Sequence, residues 1–256
     1  MTHLTGNAPA GTPNWLDLGI PDMERAKAFY RSLFGWEFQD YGPEAGHYHA
    51  CLLRGAPIAG MMRNPEPADD YWWGVYFSTD DIDGTTERVT AAGGAIVDPP
   101  DDVMDQGRLA ILTDAVGAQF GLWQGREHIG SQIVNEPGSF VWNELVTTDR
   151  AGAAGFYAAV FDHTAEDMPG DFAYTVLNRP DGRAIGGILE EPGAAGPAWM
   201  TYFEVEDPDA SVRTVRENGG AVVTEPQDSP YGRIATVRDP FGAEFHLMRP
   251  APAETP

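Results

Sequence analysis

The apolar positions of this chain change period in a fixed order. Trp15 to Ile20 alternates apolar and polar residues as a strand does, and Pro21-Asp22 then opens a segment in which Met23, Ala26, Phe29, Tyr30 and Leu33 recur at helical spacing. Gly35 ends that helix. Tyr48 to Leu53 and Ala56 to Met62 read as strands joined by a turn at Arg54-Gly55, and Trp72 to Ser78 reads as the next strand. A second helix is predicted from Asp81 to Ala92, stopped by Gly93-Gly94, with Arg108 to Thr113 and Gln119 to Trp123 as closing strands.

The same order then returns at a nearly constant offset. Trp15-Leu16-Asp17-Leu18, Phe29-Tyr30 and Phe34 recur as Trp142-Asn143-Glu144-Leu145, Phe156-Tyr157 and Phe161. Ile58-Ala59-Gly60 matches Ile185-Gly186-Gly187, Tyr76-Phe77 matches Tyr202-Phe203, and Gly93-Gly94-Ala95 matches Gly219-Gly220-Ala221. Gly107-Arg108 matches Gly232-Arg233, and Asp114 with Gly117 matches Asp239 with Gly242. So many matches in order make two copies of one module. The chain divides into a tail (residues 1–12), a module (13–124), a polar linker (125–138), a second module (139–249) and a Pro-rich tail (250–256).

Within each copy, Asp-x-x-x-Ala-x-x-Phe-Tyr-x-x-x-Phe-Gly follows the first strand and Asp-x-x-Gly-Ala-x-Phe lies in the last. These are Asp22 to Gly35 and Asp114 to Phe120, then Asp149 to Phe161 and Asp239 to Phe245, with Asp162 in place of the helix-ending Gly. Together the motifs span nearly the whole chain and resemble the vicinal-oxygen-chelate superfamily of glyoxalases, bleomycin resistance proteins and extradiol dioxygenases. The opening Trp-x-Asp/Glu-Leu is similar to that of two-module glyoxalase-like proteins common in actinomycetes, some of them in antibiotic pathways. The resemblance implies an α+β fold of four βαβββ units, forming curved mixed sheets around cups with helices outside.

Strand alternation then sorts side chains between the two faces of each sheet. Leu18, Val75, Phe77, Phe120 and Leu122 are expected under helices, as are Leu145, Phe203, Phe245 and Leu247. Trp15, Asp17, Tyr76 and Trp123 are expected in the first cup, and Trp142, Glu144, Met200, Tyr202, His246 and Met248 in the second.

Metal-binding relatives are expected to draw ligands from the first strand, the fourth, the start of the fifth and the last, using His, Gln or Glu because a divalent ion needs nitrogen or oxygen donors. Those positions hold Trp15, Gly60, Gly74 and Gly121 in copy one, and Trp142, Gly187, Met200 and His246 in copy two. Slipping the alignment by one residue substitutes Ala59, Val75, Gly186 or Thr201 and restores no ligand set. No metal or other cofactor is therefore expected. His47 and His49, two apart on a predicted strand, are the one unorthodox pair, with Asp17 or Glu44 as partners, but copy two lacks them and the plainer reading is a solvated strand entrance. His3 and His128 read as surface residues.

What remains is a pair of aromatic, methionine-bearing cups with a carboxylate, Asp17 or Glu144, at the same inward position in each. Trp15, Tyr76, Trp123, Trp142, Met200, Tyr202 and Met248 are the candidate ligand-binding residues, since indoles stack on rings and thioethers adapt to irregular outlines. Asp17, Glu144 and His246 are the candidate acid–base groups, because desolvation lifts a carboxylate's pKa toward the range where it exchanges protons. The bland alternatives are aromatics that fill a collapsed cup and carboxylates that only hydrogen-bond. Arg108 and Arg233 are expected to pair with acids of their own copy.

Charge narrows the partners. The 39 acidic residues against 16 basic give a net charge of −23, spread along the chain, which disfavours nucleic acid and anionic membranes. No apolar run is long enough to span a bilayer and the N-terminus lacks a secretory pattern, so a cytoplasmic protein is expected. Cys51, the sole cysteine, is expected to be a buried thiol. The leading expectation is a metal-independent binder of a small aromatic or apolar molecule, in detoxification, resistance or natural-product metabolism, as a monomer or homodimer. The alternative is a glyoxalase-like lyase or isomerase acting on a 2-oxoaldehyde or its thiol adduct. An extradiol dioxygenase would need two His and one Glu around iron, which these positions do not supply.

Overall fold

The computed structural model describes residues 3–64, 71–170 and 172–252. The first module runs β1 (Pro13–Ile20), α1 (Met23–Phe34), β2 (Glu37–Asp40), β3 (His49–Leu53), β4 (Ala56–Arg63), β5 (Trp73–Ser78), α2 (Ile82–Ala91), β6 (Ala95–Val103), β7 (Gly107–Thr113) and β8 (Gln119–Gly125). The second repeats it as β9 (Phe140–Thr147), α3 (Arg150–Phe161), β10 (Thr164–Asp167), β11 (Tyr174–Asn178), β12 (Ala184–Glu190), β13 (Ala198–Glu204), α4 (Pro208–Glu217), β14 (Ala221–Ser229), β15 (Gly232–Arg238) and β16 (Glu244–Pro250). Each module folds into one eight-stranded mixed sheet, ordered β2-β3-β4-β1-β5-β8-β7-β6 and β10-β11-β12-β9-β13-β16-β15-β14. β1 lies parallel to β4 and antiparallel to β5, which joins the two βαβββ units of a module edge to edge.

All four helices start the same way. Asp22, Asp81, Asp149 and Asp207 each accept a backbone N–H of the first turn, which satisfies a donor the helix leaves orphaned. Gly35 ends α1 at φ 72°, and Asp162 takes the same left-handed conformation after α3 at φ 59°, which Asp tolerates better than most residues. Strands β2, β6, β10 and β14 are largely exposed and lack a buried face, so alternation alone does not locate them.

The helices lie outside the cups, as expected, and α1 and α3 each turn one face to solvent while burying an aromatic face against both sheets. Tyr30 of α1 packs on Trp73 of its own sheet and on Phe245 of the other, while Tyr157 of α3 packs on Trp199 of its own and Phe77 of the other. The helices are thus held between two back-to-back sheets, and one continuous core runs through both modules. Leu18, Val75, Phe77, Phe120, Leu122, Leu145, Phe203, Phe245 and Leu247 all lie in it, as does the buried Cys51.

The N-terminal segment and the linker are more structured than their composition suggests. Leu4 N–H bonds the Gln132 carbonyl, Gly11 N–H bonds Ser78, and His163 reaches the Gly11 carbonyl at 3.0 Å. Residues 253–256 of the expected C-terminal tail lie outside the described residues, as do residues 1 and 2.

Candidate functional site

Each cup is built around the same four side chains. In the first, the Trp15 Nε1–H donates to Tyr48 Oη at 2.9 Å and to Asp17 Oδ1 at 3.1 Å, and Tyr48 Oη–H donates to Asp17 Oδ1 at 2.5 Å. Tyr76 also hydrogen-bonds Asp17. In the second, the Trp142 Nε1–H donates to Tyr174 Oη at 2.8 Å, and Tyr202 donates to Glu144 Oε1 at 3.0 Å with Tyr174 as a further partner of that carboxyl. Burial pushes both carboxyl pKa values up, and the phenol hydrogen bonds pull them part of the way back. The tyrosine hydroxyls are pushed up in turn by burial beside those carboxyls.

The phenols explain the glycines. A Cβ on Gly60 would overlap the Tyr48 hydroxyl and Asp17, one on Gly187 would overlap the Tyr174 hydroxyl, and one on Gly121 would overlap the Tyr76 ring. These are the positions from which the family's metal ligands would project. Register places Asp17 beside Gly60 and Gly74, and Glu144 beside Gly187 and Met200. Phenol oxygens and rings thus stand where side chains at Gly60, Gly121 and Gly187 would project, and no group of three or more His, Cys, Asp or Glu side chains is arranged to hold a metal ion among the described residues.

The unorthodox histidine pair meets neither Asp17 nor Glu44 but a different acid, Asp40, whose Oδ2 lies 3.0 Å from His47 Nδ1 and 3.9 Å from His49 Nε2. β3 begins at His49, and His47 has a left-handed backbone, φ 56°, so the two do not share a strand face. His47 stands exposed beside Asp40, whereas His49 is buried with its Nδ1 on the His47 carbonyl at 2.7 Å. Arg108 and Arg233 do pair within their copies, with Asp83 and with Asp209 and Asp228, pinning strand to helix.

The cups differ in what else they contain. In the first, Trp15, Tyr76 and Trp123 form a packed cluster with 4%, 8% and 5% exposure. His128 was expected on the surface; instead the linker folds back so that its imidazole lies edge-on against Trp15, 4.2 Å between centroids, while the Trp123 Nε1–H donates to its carbonyl. Burial there pushes His128 down to about 4. The first cup is thus filled from within.

The second cup stays open. Met248 stands where copy one has Trp123, and a cavity of about 640 Å³ remains. Of the expected residues, Trp142, Glu144, Tyr202 and Met248 line it, joined by Tyr174, Met168, Phe172 and Tyr231, which the sequence did not single out. Met200 and His246 are not among its walls. His246 stacks behind Tyr202 with centroids 4.2 Å apart, its Nδ1 3.0 Å from Thr236 Oγ1, and burial pushes it down to about 4. It is a neutral ring that braces Tyr202. Tyr48 and Tyr174 were legible in principle, since they repeat at the same offset as Tyr76 and Tyr202.

Two tandem modules, each of two βαβββ units with a curved sheet around a cup, define the class. The chain belongs to the Glyoxalase/Bleomycin resistance protein/Dioxygenase superfamily, whose family profile matches residues 12–122 and 139–247. Among its relatives, CFP32 of Mycobacterium tuberculosis, which bears a glyoxylase name, is 39% identical over 253 residues, 95% of this chain and 97% of that one. DnrV of Streptomyces peucetius, an anthracycline biosynthesis protein, is 36% identical over 266 residues, 96% of this chain and 95% of that one. Solved structures share the fold at low identity. The Mn(II)-bound glyoxalase from Novosphingobium aromaticivorans has a TM-score of 0.65 at 17% identity, covering 96% of this chain and 85% of that one. The 2,3-dioxygenase LapB from Pseudomonas sp. KL28 has a TM-score of 0.67 at 13% identity, covering 97% of each.

Proposed function

We propose that this protein is a metal-independent binder of a flat aromatic or apolar small molecule, held in the second cup, and that it serves natural-product metabolism, resistance or detoxification in the cytoplasm. One observation carries the reading: the second cup keeps a cavity of about 640 Å³ walled mainly by aromatic, aliphatic and methionine side chains, with the Glu144 carboxyl as its only acid among the described residues. That volume and lining suit a drug-sized, largely apolar ligand oriented by a few polar groups. The 36% identity to DnrV supports an aromatic polyketide as the ligand class. In this reading Trp142 stacks on the ligand, Met248 adapts to its outline, and Glu144 with Tyr174 and Tyr202 meets a carbonyl or hydroxyl edge.

The glyoxylase name of CFP32 favours a second reading, a lyase or isomerase acting on a 2-oxoaldehyde or its thiol adduct, with Glu144 as acid–base group. An enediolate would then be stabilised by the phenols alone.

Titration calorimetry with the dihydroxyanthraquinone quinizarin tests the first reading. Wild type is expected to bind with the same affinity before and after chelator treatment. Met248→Trp, which copies the filler of the first cup, and Trp142→Ala are each expected to weaken binding by about tenfold or more. Absence of binding, or equal binding in both variants, sinks it. Turnover of a methylglyoxal–thiol adduct that is lost in Glu144→Gln would establish the second reading.

A further inference from the structure

The second cup changes character with depth. Its floor is closed and carries the polar groups: Glu144 and Tyr202, from β9 and β13 at the middle of the sheet, are 6% and 9% exposed. Its mouth is aromatic and open. Phe172 and Tyr231 line the same cavity at 44% and 45% exposure, two of the eight large apolar side chains left exposed among the described residues.

The two rings come from opposite flanks of the sheet. Phe172 precedes β11, next to one edge strand, and Tyr231 lies in the turn between β14 and β15, at the other edge. The repeat shows that neither ring is required by the fold, since copy one has Gly46 at the position of Phe172 and Gln106 at that of Tyr231. Phe172 also stands across the ring of Tyr174, with 5.8 Å between centroids and 70° between planes, which ties the rim to the phenols around Glu144. Large apolar side chains gain nothing from exposure, and a pair facing one cavity marks a surface for a ligand to cover.

We propose that Phe172 and Tyr231 set ligand specificity: they hold the outer ring of a planar ligand of three or more fused rings whose carbonyl or hydroxyl edge meets Glu144. The assignment rests on the reading of the second cup as the ligand site. A fused system suits it because one rigid plane reaches from floor to mouth and offers its faces and edges to rings on both flanks, where such contacts add to simple burial. A smaller aromatic fills the floor alone. A flexible aliphatic chain of the same reach loses conformational freedom when it is ordered.

Two hydroxyquinones separate these cases by calorimetry: naphthazarin, with two fused rings, and quinizarin, which adds a third ring and keeps the same hydroxyl and carbonyl oxygens. Wild type is expected to bind quinizarin about tenfold more tightly than naphthazarin. Phe172→Ala and Tyr231→Ala are each expected to weaken quinizarin about fivefold and to change naphthazarin less than about twofold. Tyr231→Phe keeps the ring and should bind quinizarin as wild type does, whereas Tyr231→Leu, apolar but not flat, should bind it as weakly as Tyr231→Ala. Melting temperatures should stay at the wild-type value, because both side chains are about half exposed. Unchanged quinizarin affinity in both alanine variants, or an equal loss for the two quinones, overturns the proposal and leaves the reading of the cup intact. Failure of both quinones to bind wild type overturns that reading and the proposal with it.

Discussion

Asp17 shows what a single carboxyl does when the chain closes over it. Tyr48, Trp15 and Tyr76 all donate toward it, yet burial outweighs them and its pKa lies above the ordinary 3.8. The folded state therefore holds this proton over a pH range in which the unfolded chain has released it. Stability from this group is greatest at acid pH and falls as pH rises through that window. Asp17→Asn keeps an acceptor for the phenol and the indole and removes the charge. The variant is expected to be more stable than wild type near pH 7 in urea unfolding, with the gap closing toward about pH 4. A gap of constant size would show that Asp17 is not shifted. The histidines depressed to about 4, His128, His163 and His246, act oppositely, losing stability as pH falls below 6.5, but they are common to both proteins and cancel in the comparison.

At the scale of elements, the Phe-Tyr pair on α1 and α3 and the Asp-x-x-Gly turn before the last strand prove to be two halves of one contact. Tyr30 donates to Asp239 Oδ2 at 3.1 Å and receives the Trp73 Nε1–H, while Tyr157 donates to Asp114 Oδ2 at 3.0 Å and receives that of Trp199. The same Asp residues close their turns by accepting the N–H groups of Ala118 and Ala243. Each helix thus clasps the other module. Phe156 and Phe29 fit against Gly94 and Gly220, where an added Cβ would come within about 3 Å of the ring. Tyr30→Phe or Tyr157→Phe leaves a buried carboxylate and an indole N–H short of a partner. Each is expected to cost about 1–3 kcal/mol in chemical unfolding without loss of helix content by circular dichroism. A change below about 0.5 kcal/mol in both would mean that the clasps do not hold the modules together.

The whole molecule follows from that exchange. Because α1 and α3 bury aromatic faces between the two sheets, a module cut free at the linker would expose Phe29, Tyr30, Phe34 and the sheet surface against which the other module's helix packs. Residues 1–128 and 129–256 made separately are expected to aggregate or self-associate on size exclusion, and to recover a single cooperative melt when refolded together. Two independently folded, monomeric halves would contradict the shared core. The linker has a local role besides, since His128 seals the first cup while nothing comparable among the described residues fills the second. The duplicated sequence therefore gives one closed site and one open one.

Repeats, helix caps and strand faces were readable from the chain, because they depend on residue type and on periods that hold wherever a strand or helix forms. Once the resemblance supplied the cup, alternation assigned Trp142, Glu144, Tyr202 and Met248 to it correctly, and Met200 and His246 to it wrongly. Distances across the fold were not readable. Tyr48, just before β3, and Tyr174, on β11, reach the carboxyls from about thirty residues away in sequence, His246 stacks behind a tyrosine instead of entering the cavity, and His128 plugs a cup from a linker that reads as solvent-exposed. Whether a concave sheet is filled or empty depends on side-chain volumes meeting from several strands at once. That sum is fixed only when the chain has packed.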